Sequence, residues 1–143
     1  MRQKPDSNHY EITIQNRIAE IRRIALVIEQ LAPLWDIPLK TAMDLNLALE
    51  EVVTNILFYA FDDNNEHLIR IVFEKENRKL LVEVIDEGKP FNLLKQEQII
   101  DVRSPLEDRK IGGLGIHLLK NLMDEISYNR NANCNHVYLT KKY

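Results

Sequence analysis

Leu80-Leu81-Val82-Glu83-Val84-Ile85-Asp86-Glu87-Gly88-Lys89-Pro90-Phe91 is the stretch whose reading decides the fold. Its first half is nearly all apolar, the pattern of a strand buried in the middle of a sheet. The run stops at an aspartate, and a glycine and a proline follow within four residues, so the strand ends in a turn. A carboxylate at the end of a buried strand is costly to leave unpaired, and it can accept a hydrogen bond from an amine in an apolar pocket. Asp and Gly are equally ordinary residues of a strand-ending turn, and both accounts fit the stretch taken alone.

Working back from this strand, residues His67 to Lys75 read as its hairpin partner, joined at Glu76-Asn77-Arg78. Before them a helix is predicted from about Leu39 to Phe61, apolar on much of its circumference, which points to more than one packing neighbour. An earlier helix, from about Arg17 to Leu34, carries Ile18, Ile21, Ala25, Ile28 and Leu31 at helical spacing. Pro33 and Trp35-Asp36-Ile37-Pro38 are expected to close it. Tyr10 to Ile14 alternates as a half-buried strand.

Working forward, residues 87–111 have no clean period, carry Pro90 and Pro105, and form a loop long enough to be a candidate for function. A third helix then starts at a group of glycines and includes Ile116, Leu118, Leu119, Leu122 and Met123. Two closing strands are predicted, around Glu125 to Asn131 and His136 to Lys142. This order predicts an α+β two-layer sandwich, with helices packed on one face of a mostly antiparallel mixed sheet. The expectation is a single domain over residues 1–143.

The chain has 143 residues, 45% of them apolar and 29% charged, which is ordinary globular composition. Nineteen Lys and Arg against 22 Asp and Glu leave a net charge of −3, so direct nucleic-acid binding has no electrostatic support. One cysteine, Cys134, excludes an internal disulfide and a multi-cysteine zinc site. No apolar run approaches the ~20 residues of a membrane helix. These features lead us to expect a soluble cytoplasmic protein with no membrane partner.

Three places carry candidate chemistry. Of four glycines, Gly112, Gly113 and Gly115 fall within four residues at the start of the third helix, and Gly88 follows Asp86. A helix N-terminus offers free N–H groups and partial positive charge, and glycine lets a ligand come close, so the group forms a phosphate cradle. A tight turn with a packing glycine accounts for the same residues. In the second helix, Glu51 and Asn55 are four apart and share a face, with Asp44 and Tyr59 on the same broad stripe. A carboxylate and an amide oxygen there can hold Mg²⁺ and orient a hydroxyl, whereas a solvated face suits Glu50 better than Glu51. His9, His67, His117 and His136 show no metal-ligand spacing, and no Gly-Lys-Ser/Thr phosphate loop occurs.

Taken in order, Glu51-x-x-x-Asn55, Asp86-x-Gly88-x-Pro90-Phe91 and Gly112-Gly113-Leu114-Gly115 resemble the Bergerat-type ATPases. Within that superfamily the chain is most similar to the bacterial anti-sigma-factor serine-protein kinases, from about Tyr10 onward. The resemblance implies an ATP- and Mg²⁺-binding serine/threonine kinase whose partners are a sigma factor and an anti-anti-sigma antagonist, and it implies a homodimer. It makes Asn55 the Mg²⁺ ligand between the phosphates and Glu51 the group that orients or deprotonates the attacking hydroxyl. Asp86 receives the adenine amine of ATP or ADP, and Gly88 admits the base. Gly112, Gly113, Leu114 and Gly115 surround the phosphates. Residues 91–111 become the ATP lid, from which Arg109 or Lys110 reaches the terminal phosphate.

Two positions depart from the family pattern. Asn92 stands where an aspartate often follows Pro-Phe, and Ile111 and Gly112 stand where some relatives place an arginine beside the glycines. Phosphoryl transfer depends on positioned positive charge. The second departure therefore favours an alternative, a non-catalytic switch in which nucleotide binding alone sets partner affinity.

Overall fold

The computed structural model describes residues 7–95 and 115–143. Strand β1 (His9–Gln15) leads through one 3₁₀ turn (Ile18–Glu20) into α1 (Ile21–Leu34) and then α2 (Leu39–Tyr59). The hairpin β2 (Leu68–Glu76) and β3 (Lys79–Asp86) follows, then a 3₁₀ turn at Leu93–Lys95. Helix α3 (Gly115–Leu122), β4 (Glu125–Asn131) and β5 (Cys134–Lys142) complete the described chain.

The five strands lie in the order β1-β2-β3-β5-β4, and all four pairings are antiparallel. This is the expected α+β arrangement, with every described pairing antiparallel where the sequence led us to expect a mostly antiparallel mixed sheet. Strand β4 runs in the same direction as β3, but β5 lies between them, so the two never pair. The apolar strand β3 is central, as its composition predicts.

Helix α1 keeps Pro33 inside its last turn and does not stop there. A proline removes one intrahelical hydrogen bond, and so near the end little of the helix depends on it. The stop comes at Asp36, whose φ is 52°, while the Ile37 N–H closes back on the Ala32 carbonyl at 2.9 Å. That pairing is a Schellman closure, and it turns Ile37 into the core.

Alternation along the strands turns one face of the sheet toward the helices. Ile12, Ile14, Ile69, Ile71, Phe73, Leu80, Val82, Val84, Val137 and Leu139 from this face are buried. They meet Ile24, Ile28 and Leu31 of α1 and Leu45, Leu49, Val52, Val53 and Ile56 of α2. Each such side chain contributes about 1.5–3 kcal/mol when removed from water. Helix α2 packs against α1, α3 and the sheet, as its wide apolar surface implies, although Leu47 and Phe58 face outward. No helix among the described residues is long and apolar enough to cross a membrane.

Candidate functional site

Asp86 belongs to the same row as Leu80, Val82 and Val84, so the pleat aims its carboxylate at the helix layer. It is 1% exposed. Its Oδ1 accepts hydrogen bonds from the Gly88 N–H and from the Asn135 side-chain amide, both at 2.9 Å. Its Oδ2 is equally buried and meets no partner among the described residues. Burial pushes the Asp86 pKa up, against the hydrogen bonds from Asn135 and Gly88 and the nearby charges of Arg130 and His136.

The turn after Asp86 is pinned to the end of α2. The Lys89 N–H donates to the Ala60 carbonyl at 2.9 Å, and the Lys89 ammonium pairs with Asp62 at 2.7 Å. A Cβ on Gly88 would lie 2.5 Å from the Ala60 oxygen and 2.7 Å from the Ala60 Cβ. The close approach that this glycine permits here is therefore to α2. One turn further on, Phe91 stacks on Tyr59 with ring centroids 5.4 Å apart.

Asn135 escaped the reading of the sequence, yet it organises this end of the sheet. It sits across from Asp86 in the β3–β5 register and is 1% exposed. Its amide nitrogen also donates to the Lys89 carbonyl at 2.8 Å. Its oxygen accepts from the Phe91 N–H at 3.1 Å, from Arg130 at 3.2 Å and from the Tyr128 hydroxyl. Arg130 reaches past it to the Gly88 carbonyl at 2.7 Å. A signal was present: Asn135 shares the buried row of Val137 and Leu139, where a polar side chain needs partners.

Glu51 and Asn55 lie one turn apart on α2, as their spacing requires. The Asn55 side-chain nitrogen donates to the Glu51 carbonyl at 2.8 Å, which leaves the amide oxygen as the atom chemically suited to a hard cation. Asn55 is buried. Glu51 Oε2 is shielded from water and has no partner among the described residues. Burial, and after it the neighbouring Glu50 carboxylate, push the Glu51 pKa up. Gly115, the first residue of α3, lies against that same oxygen. Asp44 of the same stripe is engaged elsewhere, with Lys40 and Lys141. Arg109, Lys110, Gly112, Gly113 and Leu114 lie outside the described residues.

Two carboxylates thus end in oxygens without a partner among the described residues, one at each end of the C-terminal half of α2. Asp86 and Gly88 stand at Ala60; Asn55 lies five residues back and Glu51 nine. At 1.5 Å of rise per residue these are about 7.5 Å and about 13.5 Å along the helix. Such an arrangement can recognise a donor group at one end and place a proton acceptor at the other.

The family profile described as the histidine kinase-like ATPase domain matches residues 14–141. The chain is 31% identical over 92 residues to a serine-protein kinase RsbW of Bacillus velezensis, covering 62% of this chain and 58% of that one. It is 36% identical over 86 residues to RsbW of Listeria monocytogenes, covering 58% and 55%. The match to RsbW of Bacillus subtilis is 25% identical over 126 residues, 86% of this chain and 79% of the relative. The first two alignments span little more than half the length of those relatives. Among solved structures, the RsbU and RsbW domains of Rv1364c from Mycobacterium tuberculosis align over 94% of this chain and 31% of that one. The TM-score is 0.59 at 16% identity, a likeness of fold. With the profile covering nearly all of the described sheet and helices, the chain belongs to the histidine kinase-like ATPase domain family.

Proposed function

We propose that the chain binds ATP with Mg²⁺ and transfers the γ-phosphoryl group to a serine or threonine hydroxyl of an antagonist protein of the anti-anti-sigma type. A sigma factor is its other partner, held when the antagonist is released. The observation that carries this reading is the pair of buried, unpartnered oxygens, Asp86 Oδ2 and Glu51 Oε2. A buried acceptor without a donor costs roughly 1–3 kcal/mol, which is tolerable where a ligand supplies the donor.

Along α2 the groups follow the order of a nucleoside triphosphate. Asp86 takes the exocyclic amine of the base, Asn55 lies level with the phosphates, and Glu51 lies beyond them where an acceptor hydroxyl enters. Asn55 offers an amide oxygen to Mg²⁺, which when bound neutralises phosphate charge. Glu51 takes the proton from the attacking hydroxyl, and the rise of its pKa on burial makes it a stronger base than an ordinary glutamate. Gly112, Gly113, Leu114 and Gly115 surround the phosphates, and residues 91–111 form a lid carrying Arg109 and Lys110 to the terminal phosphate. The likeness to proteins named serine-protein kinase supports the choice of reaction.

The test is to incubate the protein with Mg-ATP and each small antagonist-type protein of its own organism, following intact mass. One phosphate gained by one candidate, and lost with Glu51→Gln, is the expected result. ATP binding with no transfer to any candidate would overturn the kinase and leave the nucleotide-dependent switch.

A further inference from the structure

We propose that Gly115 is a positioning residue for Glu51: its bare Cα at the start of α3 makes the space into which the Glu51 carboxylate extends. The consequence for catalysis rests on the kinase reading above; the contact itself does not.

A Cβ placed on Gly115 overlaps Glu51 Oε2 and comes within 3.1 Å of the carboxyl carbon and 3.7 Å of Cγ. The three nearest atoms it meets all belong to Glu51. The backbone gives no other reason for glycine here. Gly115 lies in helix α3, outside the left-handed region that only glycine adopts readily, and alanine is the better helix former. Glycine at this position sacrifices helix propensity, and what it gains is room for one carboxylate.

Glu51 Oε2 has no donor among the described residues, so its place is set by what surrounds it and not by a partner. Because it is the free end of a flexible side chain, an added methyl group displaces it without unpacking α3. Proton abstraction needs the base within hydrogen-bond reach of the hydroxyl, and a displacement of about 1 Å can cost about a hundredfold in rate. Gly115→Ala therefore leaves a folded protein whose base is misplaced.

The experiment compares the full chain, Gly115→Ala, Glu51→Asp and the double variant. With a phosphorylatable antagonist at saturating Mg-ATP, Gly115→Ala lowers kcat about a hundredfold. In the Glu51→Asp background, whose carboxylate is one methylene shorter, adding Gly115→Ala changes kcat by no more than about twofold. A raised KM with unchanged kcat, or an equal loss in both backgrounds, overturns the proposal. A second measurement needs no substrate: urea unfolding of the ligand-free parent, Gly115→Ala, Glu51→Ala and the double variant. Gly115→Ala costs more stability in the parent than in the Glu51→Ala background; an equal effect in both backgrounds overturns the proposal whatever the kinase assay gives. If the single variant fails to fold, folding of the double variant supports the contact, and failure of both overturns it.

Discussion

Asn135 on β5 stands opposite Asp86 on β3 and gives its side-chain amide to one oxygen of that carboxylate at 2.9 Å, leaving the other oxygen without a partner among the described residues. This asymmetry decides what the site can accept. Oδ1 is saturated by Asn135 and the Gly88 N–H, so any ligand must address Oδ2, and an ionised carboxylate oxygen accepts only from a donor. An amine suits it; a carbonyl in the same place does not. The same Asn135 holds the Lys89 carbonyl and the Phe91 N–H. The proposed base recognition and the start of the proposed lid therefore depend on one side chain.

Replacing that side chain strips several buried groups at once. Asn135→Leu removes a donor from Asp86 Oδ1 and from the Lys89 carbonyl, and an acceptor from the Phe91 N–H. An unsatisfied buried group costs about 1–3 kcal/mol, and some relaxation is expected, so a loss of about 2–4 kcal/mol is the prediction. Urea unfolding measures it, and ATP affinity in the folded fraction should fall with it. A loss under about 0.5 kcal/mol would show that the network contributes little.

Buried Asp86 and half-buried Glu51 give the stability a definite pH dependence. Both Asp86 and Glu51 have pKa values raised in the folded state, chiefly by burial. In the window above their ordinary range and below their folded values, the folded chain binds more protons than the unfolded one. Stability contributed by these groups then falls as pH rises through that window and levels off above it. Asp86→Asn in the ligand-free protein should gain stability relative to the parent as pH rises across the window. Urea midpoints at a series of pH values report this, and a difference that stays constant with pH would refute it.

The core was legible because the period of apolar residues is a local property. Leu80, Val82 and Val84 reveal the inward row of β3, and Asp86 follows as its next member. Glu51 and Asn55 were visible for the same reason, at helical spacing. Asn135 was not, because its partner lies 49 residues away and register between distant strands leaves no local mark. A mostly antiparallel sheet was legible from the order of the elements, but the strand order was not, since it depends on β5 entering between β3 and β4. The end of α1 at Leu34 was legible from the prolines around it, whereas its start was not: residues Ile18–Glu20 form a separate 3₁₀ turn before the helix begins at Ile21.

Gly88 tests how tightly the end of β3 is fitted to α2. Its missing Cβ would sit 2.5 Å from the Ala60 carbonyl oxygen, a backbone atom that cannot turn aside. Gly88→Ala must move the strand end, the helix end or both. Overpacking of this kind costs about 1–3 kcal/mol. Because the Lys89 N–H bond to Ala60 moves with it, hydrogen exchange at Lys89 should quicken along with the loss of stability. Wild-type exchange at that amide in the variant would mean that the gap closes elsewhere.

Asn55 separates metal-dependent from metal-independent binding. Its nitrogen is committed to the Glu51 carbonyl, so alanine removes a side-chain oxygen and one hydrogen bond within α2 while leaving Asp86 untouched. Asn55→Ala should weaken ATP binding about tenfold in Mg²⁺, a difference of about 1.4 kcal/mol. Binding in excess chelator should match the parent, because recognition of the base remains. Calorimetric titration with and without Mg²⁺ makes the comparison. If affinity falls equally in both, Asn55 acts through the shape of the pocket and the metal role passes to another residue. If it falls in neither, the amide oxygen does not reach the phosphates at all.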